Sequence, residues 1–343
     1  MKFIGVDLHK KTISLCVMIQ DDNQRKVIDR RRLACADTNS IVEYFASQGP
    51  FQVVVEATSA YEWFLQLVES YADRVVLAHP KKLRVIAEST RKTDKIDAQV
   101  LSEFLALNMI PEAYRPTPRQ REHRSLVRRR RSIQSRITSV KNKLRHVLAG
   151  YNADRASLFS RAGREYLRGV QVSSADRFVL EQLEEELDFH TGQLAAVDKQ
   201  LRTFAKAAPL AEREARGVLE SIPCVGEVTI DVVISELGDV RRFRSQKKVV
   251  AYAGLAPGIR ESSGRCKQLG ITKEGSRLLR WALVETAWRL VGKTRRWGRI
   301  YERIKQRAGA KKAIVAVARR VLCVMASMLQ SGQRYRFAAD AFA

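Results

Sequence analysis

Two acidic side chains lie where apolar strands would ordinarily exclude them. Asp7 lies inside one apolar run of the sequence, and Glu56 directly follows another. Asp94 and Asp97 are three residues apart, so a helix would place both on one face. An ionised carboxylate among apolar residues is costly unless it is paired or bound to a metal. We therefore expect these four acids to form one cluster.

A cluster of four carboxylates would repel itself at neutral pH unless divalent cations neutralised it. Oxygen-only ligands favour Mg²⁺ or Mn²⁺ over zinc. Two such ions, about 4 Å apart, would clamp the attacking and leaving oxygens of a phosphodiester. A helix cap or a surface ion pair is the simpler interpretation of any single acid, and Asp97 could pair with Lys95 or Arg91. No such role is evident for Asp7 and Glu56.

The surrounding sequence predicts an α/β domain that would position these acids. Strand patterns cover residues 3–8, 12–19, 26–34, 51–55 and 74–78, and helical patterns cover residues 40–47, 61–70 and 81 onward. The first three strands predict an antiparallel meander, with a tight turn at residues 9–11. The order βββαβαβα then predicts a mixed sheet with helices on its faces. Glu56 would lie at a strand end, where open sheets place their chemistry.

The charge balance of the chain favours a nucleic-acid partner. Its 343 residues carry 62 Lys and Arg against 37 Asp and Glu, a net charge of +25. So large a positive field attracts polyanions, which excludes an ordinary small-metabolite enzyme as the default interpretation. Only 7% of the residues are aromatic, so phosphate contacts should dominate over base stacking.

A basic segment at residues 115–145 holds twelve of these cations against one acid, Glu122. Apolar residues recur within it at spacings of four and three, at Ile133, Ile137, Val140, Leu144 and Val147. A second apolar seam, flanked by acids, runs over residues 180–204. The two helices could form an antiparallel arm or a dimerising coiled coil, or they could be two members of one bundle.

The last third of the sequence predicts helices with breaks at residues 222–226 and 254–275. The first break is typical of a helix-hairpin-helix turn that binds a DNA phosphate, and equally of a plain helix–helix turn. Residues 293–312 form a second basic stretch, with Trp297 and Tyr301 interleaved, and predict another nucleic-acid surface. The apolar residues 313–329 contain two arginines, which predicts a core helix and no membrane span.

Five scattered cysteines without a CxxC pair support neither a disulfide framework nor a zinc site, and they indicate a reducing compartment. No apolar stretch of the signal-peptide type precedes the first strand pattern. We therefore expect a cytoplasmic protein.

Three blocks around the acids resemble the DEDD transposases of insertion-sequence family 110: GVDLHK at residues 5–10, VEAT at 55–58 and KTDKIDA at 92–98. The resemblance implies an RNase H-like, RuvC-like α/β domain over residues 1–148, including the basic helix at 119–148. From the apolar seams and the helical patterns we further expect a coiled-coil arm over residues 149–212 and a mainly α-helical C-terminal domain over 213–343. In such an enzyme Asp7, Glu56, Asp94 and Asp97 would bind two Mg²⁺ ions.

A second set of blocks continues the resemblance in the C-terminal part: AYAGLAP at residues 251–257, RESSG at 260–264 and GITKEGS at 270–276. In that family a serine of this region is the nucleophile that forms a covalent link to DNA. Counting from Pro257 places it at Ser262, with Ser263 as the adjacent alternative. By itself, a serine in a polar, glycine-rich loop is ordinarily a turn former, and its hydroxyl requires activation by a base or metal.

The resemblance also implies partners for the basic surfaces. These are element-end and target DNA, a non-coding bridge RNA that selects them by base pairing, and further copies of the chain, as a dimer that pairs into a tetramer in the prokaryotic cytoplasm. The cations predicted to contact nucleic acid are Arg128, Arg129, Arg130, Arg131, Lys141, Lys143, Arg260, Arg265, Lys267, Lys273, Arg295 and Arg296.

Other function classes remain open on the sequence. A metal-only nuclease, such as a junction resolvase of the same fold, would need the four carboxylates but not Ser262. A non-catalytic nucleic-acid-binding protein would keep the basic helices and tolerate the loss of Asp7. A sugar kinase also begins with an Asp-bearing strand, but the glycine-rich phosphate loop that it needs is missing after Asp7.

Overall fold

The computed structural model describes residues 1–21, 24–58, 60–86, 94–262 and 265–336. The chain divides into two compact units, Met1–Arg115 and Pro116–Ala343. This boundary differs from the predicted one at residue 148. The reason is that the basic helix packs against other helices of the second unit, so it belongs with them by contact although it follows the first unit directly in sequence.

The first unit has the predicted order of strands and helices, with two helices where the pattern indicated one helical region after residue 81. Its described elements are β1(Lys2–Leu8), β2(Thr12–Asp21), β3(Gln24–Ala34), α1(Thr38–Ala46), β4(Phe51–Glu56), α2(Tyr61–Val68), β5(Arg74–Ala78), α3(Pro80–Ile86) and α4(Asp94–Ala106). Asp37 caps α1 by accepting a hydrogen bond from the Ser40 amide, which satisfies one of the free N–H groups at the helix start.

The described strands form a mixed sheet in the order β3-β2-β1-β4-β5. β1, β2 and β3 pair antiparallel, while β1, β4 and β5 pair parallel. The predicted meander and mixed sheet are therefore confirmed. One face of the sheet packs on α1 and α2 through residues such as Val6, Phe45 and Phe64. On the opposite face, Val54 packs with Leu101 and Leu105 of α4, and we call this the α4 face.

The second unit is mainly helical, as the sequence predicts, with one hairpin in its described part. Its elements are α5(Pro118–Ala149), α6(Arg161–Gly169), α7(Ser174–Lys206), α8(Leu210–Glu220), α9(Glu227–Leu237), α10(Gln246–Tyr252), β6(Pro257–Ser262), β7(Arg265–Ile271), α11(Arg277–Lys293), α12(Arg295–Ala308) and α13(Ala310–Ser331). Thr117 caps α5 and Pro118 occupies its first turn, a pairing that fits the unsatisfied N–H groups there.

The two predicted apolar seams pack against each other within the chain. Leu144 and Leu148 of α5 share a core cluster with Leu180 and Leu183 of α7. The start of α5 lies beside the end of α7, because the Arg119 guanidinium lies 4.0 Å from the centre of the Phe204 ring. The pair is therefore antiparallel, which is one of the arrangements that the sequence left open.

The core of the second unit surrounds α13. By length and composition this helix could cross a membrane, and it is the one such helix in the described residues. Val317, Leu322 and Met325 are nevertheless fully buried among the neighbouring helices. This confirms the predicted core helix.

The aromatic residues of the second basic stretch lie in the same core. Trp297 and Tyr301 of α12 are 3% and 6% exposed, so their expected place among the surface cations is wrong. Helical spacing explains the difference, since residues four apart share a face and here that face packs inward. The neighbouring cations of α12, Arg295, Arg296 and Arg299, are exposed.

Candidate active site

Asp7 and Glu56 lie at the ends of neighbouring parallel strands and on one face of the sheet. The register aligns Gly5 with Val54. Because side chains alternate along a strand, Asp7 lies on the face of Gly5, and Glu56 lies on the face of Val54. Val54 packs against α4. Both acids therefore lie on the α4 face, at the carboxyl ends of their strands.

Gly5 allows α4 to lie directly on β1. A Cβ atom built on Gly5 would lie 2.0 Å from the carbonyl oxygen of Ala98 and 2.5 Å from the amide nitrogen of Ser102. Such distances are far inside van der Waals contact, so any other residue would displace the helix. A glycine within a strand pattern is a known sign of close backbone approach, and here the approaching element carries the remaining two acids.

The direction of α4 brings its first turns to the acidic end of β1. β3 runs in the same direction as β1, since both pair antiparallel with β2. Near the start of β3, Arg25 pairs with Glu103, and further along Arg30 donates a hydrogen bond to Gln99. Moving toward lower residue numbers along α4 therefore leads toward the carboxyl ends of the strands, where Asp97 lies.

Asp97 lies on the sheet-facing side of α4. It precedes the buried Leu101 by four residues, about one helical turn. Asp94 is the first residue of the helix, three residues before Asp97, and its side chain lies outside the described part of the chain. The structure therefore brings Asp7, Glu56 and Asp97 to one corner of the α4 face.

The direct contacts of the acids at this corner differ from one acid to the next. Asp7 Oδ2 lies 2.9 Å from Nε2 of His9, whose side chain is 47% exposed against 14% for Asp7. No lysine or arginine of the described chain forms an ion pair with Glu56 or Asp97. Carboxylates gathered in this way favour a hard divalent cation, because its charge offsets their mutual repulsion.

The donor set fits such a cation by chemistry, although the described side chains alone do not complete a site. Among them, no three His, Cys, Asp or Glu residues form a group that could hold a metal ion. The shared face and the oxygen-only donors are the observations in favour of a divalent metal at this corner.

Ser262 is the last residue of β6 and lies at the tip of a β-hairpin, rather than in the irregular loop expected for it. β6 and β7 pair antiparallel, and the final pair is Ser262 with Arg265. Backbone hydrogen bonds hold β6 and β7 together and do not depend on the polarity of the side chains. The glycine-rich sequence pattern therefore did not predict these two strands. The side chains of Ser262, Arg260, Arg265 and Lys267, and the whole of Ser263, lie outside the described residues.

Two glycines with left-handed backbones anchor the base of this hairpin. Gly254 has φ +69° and Gly275 has φ +84°. A Cβ atom at Gly254 would lie 1.8 Å from the Glu274 carbonyl oxygen, and one at Gly275 would lie 1.9 Å from that of Tyr252. Arg280 closes the contact by donating to carbonyl groups of both segments. The sequence marked the glycines but gave no signal for Arg280.

Several of the predicted nucleic-acid-binding cations make contacts within the second unit. Arg130 Nε lies 2.7 Å from Asp198 Oδ1, and Arg128 pairs with Glu236 at 3.2 Å. Further contacts join Arg129 to Gln193, Arg131 to the Trp281 ring and Lys141 to the Phe159 ring. These cations thus help to fix α5 in place.

Other predicted cations of this unit are exposed: Lys143, Lys273, Arg295 and Arg296. Their charges face solvent and can contact a polyanion, although Arg296 also lies 5.8 Å from the centre of the Trp297 ring.

A buried ionic network between α5, α8 and α9 was missed from the sequence. Asp231, 5% exposed, accepts a hydrogen bond from Arg216 at 2.6 Å and lies 2.9 Å from Nε2 of His123. Glu236, 3% exposed, pairs with Arg128. Asp231 could have been found from the sequence, because it lies inside an apolar run, as Asp7 does.

Comparison with protein families gives two matches in order along the chain. A DEDD model described as a transposase matches residues 4–153, and a model described as the transposase IS116/IS110/IS902 family matches residues 216–302. The first covers the α4-face acids, and the second covers the hairpin with Ser262.

Individual relatives align over most of the chain. A transposase for insertion sequence element IS1111A of Coxiella burnetii is 27% identical over 98% of this chain and 92% of its own length. A transposase for element IS1328 of Yersinia enterocolitica is 25% identical over 83% of this chain and 82% of its length. A pilin gene-inverting protein of Moraxella lacunata is 22% identical, with 97% of each chain covered.

Proposed function

We propose that the chain, which matches transposase models of the DEDD and IS116/IS110/IS902 types, acts as a DNA transposase and cuts and rejoins DNA through four carboxylates and one serine. The shared position of Asp7, Glu56 and Asp97 on the α4 face, near the carboxyl ends of the strands, is the observation that carries the proposal. The DEDD domain implies a divalent metal. Asp7, Glu56, Asp94 and Asp97 are the residues that would hold two Mg²⁺ ions.

When bound, Mg²⁺ would stabilise the negative charge that develops on the phosphodiester oxygens and make the attacking oxygen more reactive. The carboxylates themselves hold position and supply the negative field. Gly5 supports this arrangement because it lets α4 lie against β1 with Asp97 beside the strand ends.

Ser262 is the proposed nucleophile. Its Oγ atom attacks the phosphorus and forms an O–P bond, while the bond to the leaving strand breaks and the serine proton passes to the leaving oxygen. A hydroxyl group of a second strand then attacks the phosphoserine, which restores the serine and forms a new phosphodiester. Each step exchanges one P–O bond for another, so rejoining needs no ATP.

The proposal extends to the partners of the reaction. A bridge RNA would select the donor and target DNA by base pairing, and exposed cations on α5 and α12 would hold the nucleic-acid backbones. A dimer that pairs into a tetramer would act on two DNA sites, with α5 and α7 as an arm between protomers. The expected location is the cytoplasm, where the DNA substrate lies.

A covalent-adduct assay tests the chemistry. Purified protein, Mg²⁺, end-labelled element-junction DNA and RNA from the element's flank are incubated and resolved on a denaturing gel. We expect a labelled protein band that is lost in Ser262→Ala and reduced on the order of 10³-fold in Asp7→Asn, because the loss of metal stabilisation costs several kcal/mol. Ser263→Ala is the matched neighbour and should keep the band.

Two outcomes would contradict the proposal. Cleavage that persists in Ser262→Ala without any adduct would identify a metal-only nuclease. Full activity in Asp7→Asn would remove the carboxylate site from the mechanism.

A further inference from the structure

The β3 strand carries a dense set of cations beside the acidic corner. At the edge of the described sheet, it exposes Arg25, Lys26, Arg30, Arg31 and Arg32. A basic edge strand also discourages pairing with other strands, so the charge alone does not identify a binding site. The arginines differ in the face of the sheet on which they lie and in the side chains that they contact, and these differences indicate different roles.

Arg32 lies in the same cross-strand row as Asp7. Asp7 pairs with Ser14 on β2, and Ser14 pairs with Arg32 on β3. Directly paired residues lie on the same face of a sheet, so Arg32 belongs to the α4 face. Two strand spacings of about 4.8 Å place its backbone roughly 10 Å from that of Asp7.

The neighbouring arginines are occupied by contacts within the first unit. Arg30 donates to Gln99, and Arg25 pairs with Glu103, so both hold α4 on the sheet. Arg31 lies on the opposite face, where it pairs with Asp29 at 3.4 Å. These contacts explain three of the cations without any ligand.

Arg32 has no corresponding role. It is exposed, and no ion pair or side-chain hydrogen bond to it is found in the described part of the chain. The exposed Lys10 and Lys11 lie at the same end of the sheet, since the Lys11 carbonyl accepts a hydrogen bond from the Cys35 amide just after β3. A positive rim therefore adjoins the acidic corner.

We infer that Arg32 binds a backbone phosphate of the DNA strand that enters the carboxylate site. Acids that gather at a reaction centre repel a polyanion, and a cation on the same face offsets that repulsion. A guanidinium can hold a phosphate through two parallel hydrogen bonds. Because the backbone of Arg32 lies roughly 10 Å from that of Asp7, the bound phosphate lies within a few nucleotides of the reacting one.

This inference rests on the proposed function, because it takes the acidic corner as the place of DNA cleavage. What it adds is the position of one side chain, Arg32, and its partner, a backbone phosphate. Arg32→Gln removes the charge, and Arg31→Gln removes an equal charge from the next residue on the opposite face. The two variants have the same net charge, so the general field of the protein changes equally.

The first measurement is the affinity of the full-length protein for junction DNA, with Ca²⁺ in place of Mg²⁺, over a range of salt. We expect Arg32→Gln to weaken binding about fivefold and to lower the slope of log K against log[salt] by about 0.9, the value for one lost phosphate contact. Arg31→Gln should match the wild type. Equal affinities and slopes for the two variants would overturn the inference.

The second measurement locates the contact. Single methylphosphonate linkages, which lack the phosphate charge, are placed one by one within five nucleotides of the mapped cleavage site. One position near the reacting phosphate should weaken wild-type binding about fivefold and have no effect on Arg32→Gln. The absence of any such position would also overturn the inference.

The binding measurements on wild type, Arg32→Gln and Arg31→Gln are repeated with an RNA strand to distinguish DNA from RNA as the ligand of Arg32. An effect of Arg32→Gln on RNA binding alone would exclude DNA as that ligand. Failure of the proposed function has a different signature. In that case the wild type would form neither cleavage product nor adduct, while the salt slopes of the two variants would still decide whether Arg32 binds DNA.

Discussion

Asp7 and Asp231 have the same local sequence character and opposite surroundings. Each is an acid within an apolar run. Asp231 lies in the second unit with Arg216 and His123 at 2.6 Å and 2.9 Å. Asp7 lies in the first unit beside the half-exposed His9, on a face shared with Glu56 and other acids.

The difference separates a structural acid from a functional one. A buried acid with a close arginine has its charge compensated inside the protein, and its removal would leave that arginine without the partner. Acids that share one face repel one another, and a bound divalent cation would offset that repulsion. The type of neighbour, more than the depth of burial, thus distinguishes the two acids.

The largest expected effect on stability belongs to Asp231→Ala. It leaves Arg216 and His123 without their shared acceptor, and breaking a buried pair in this way costs about 3–5 kcal/mol. Urea unfolding followed by tryptophan fluorescence checks it, because three of the four tryptophans lie in the second unit, at residues 281, 288 and 297.

Asp7→Asn is the matched control for this comparison. It removes one member of a self-repelling group, so the unfolding free energy of the first unit should stay equal or rise. Unfolding of Asp7→Asn is measured by circular dichroism. A loss of several kcal/mol of unfolding free energy in this variant would contradict the distinction between the two acids.

A smaller effect is expected from Gly5→Ala. The new methyl group would collide with the Ala98 carbonyl at 2.0 Å, which forces α4 away from β1 at a cost of about 1–3 kcal/mol. The displaced Asp97 should also lower adduct formation. Gly192→Ala in α7 is the control, since nothing lies within 4 Å of its added Cβ and alanine favours a helix by about 0.5–1 kcal/mol. Equal thermal stability of the two variants would contradict the close packing.

The smallest effect is metal-dependent stabilisation of the acidic corner. Mg²⁺ at ten times its dissociation constant should stabilise the first unit by about 1.4 kcal/mol. Thermal unfolding in Mg²⁺ and in EDTA measures this shift, which should vanish in Asp7→Asn and persist in Asp231→Asn wherever that variant folds. A shift that survives Asp7→Asn would place the metal elsewhere.

Local sequence patterns predicted much of the first unit. Alternating apolar residues marked the strands, and the acids inside or after those strands marked the corner that Asp7 and Glu56 share. Periods of three and four residues marked α5 and α7. These features were predictable because the side chains of neighbouring residues determine which face of a strand or helix is apolar.

Tertiary structure alone decided which side chains are buried, which are paired and which remain available to a ligand. Trp297 lies in the core, Arg130 pairs with Asp198, and Arg32 shares a row with Asp7 although 25 positions separate them in the sequence. The same holds for Arg280 at the base of the hairpin. Strand order, helix direction and close packing bring together residues far apart in the chain, and no local pattern records those pairings.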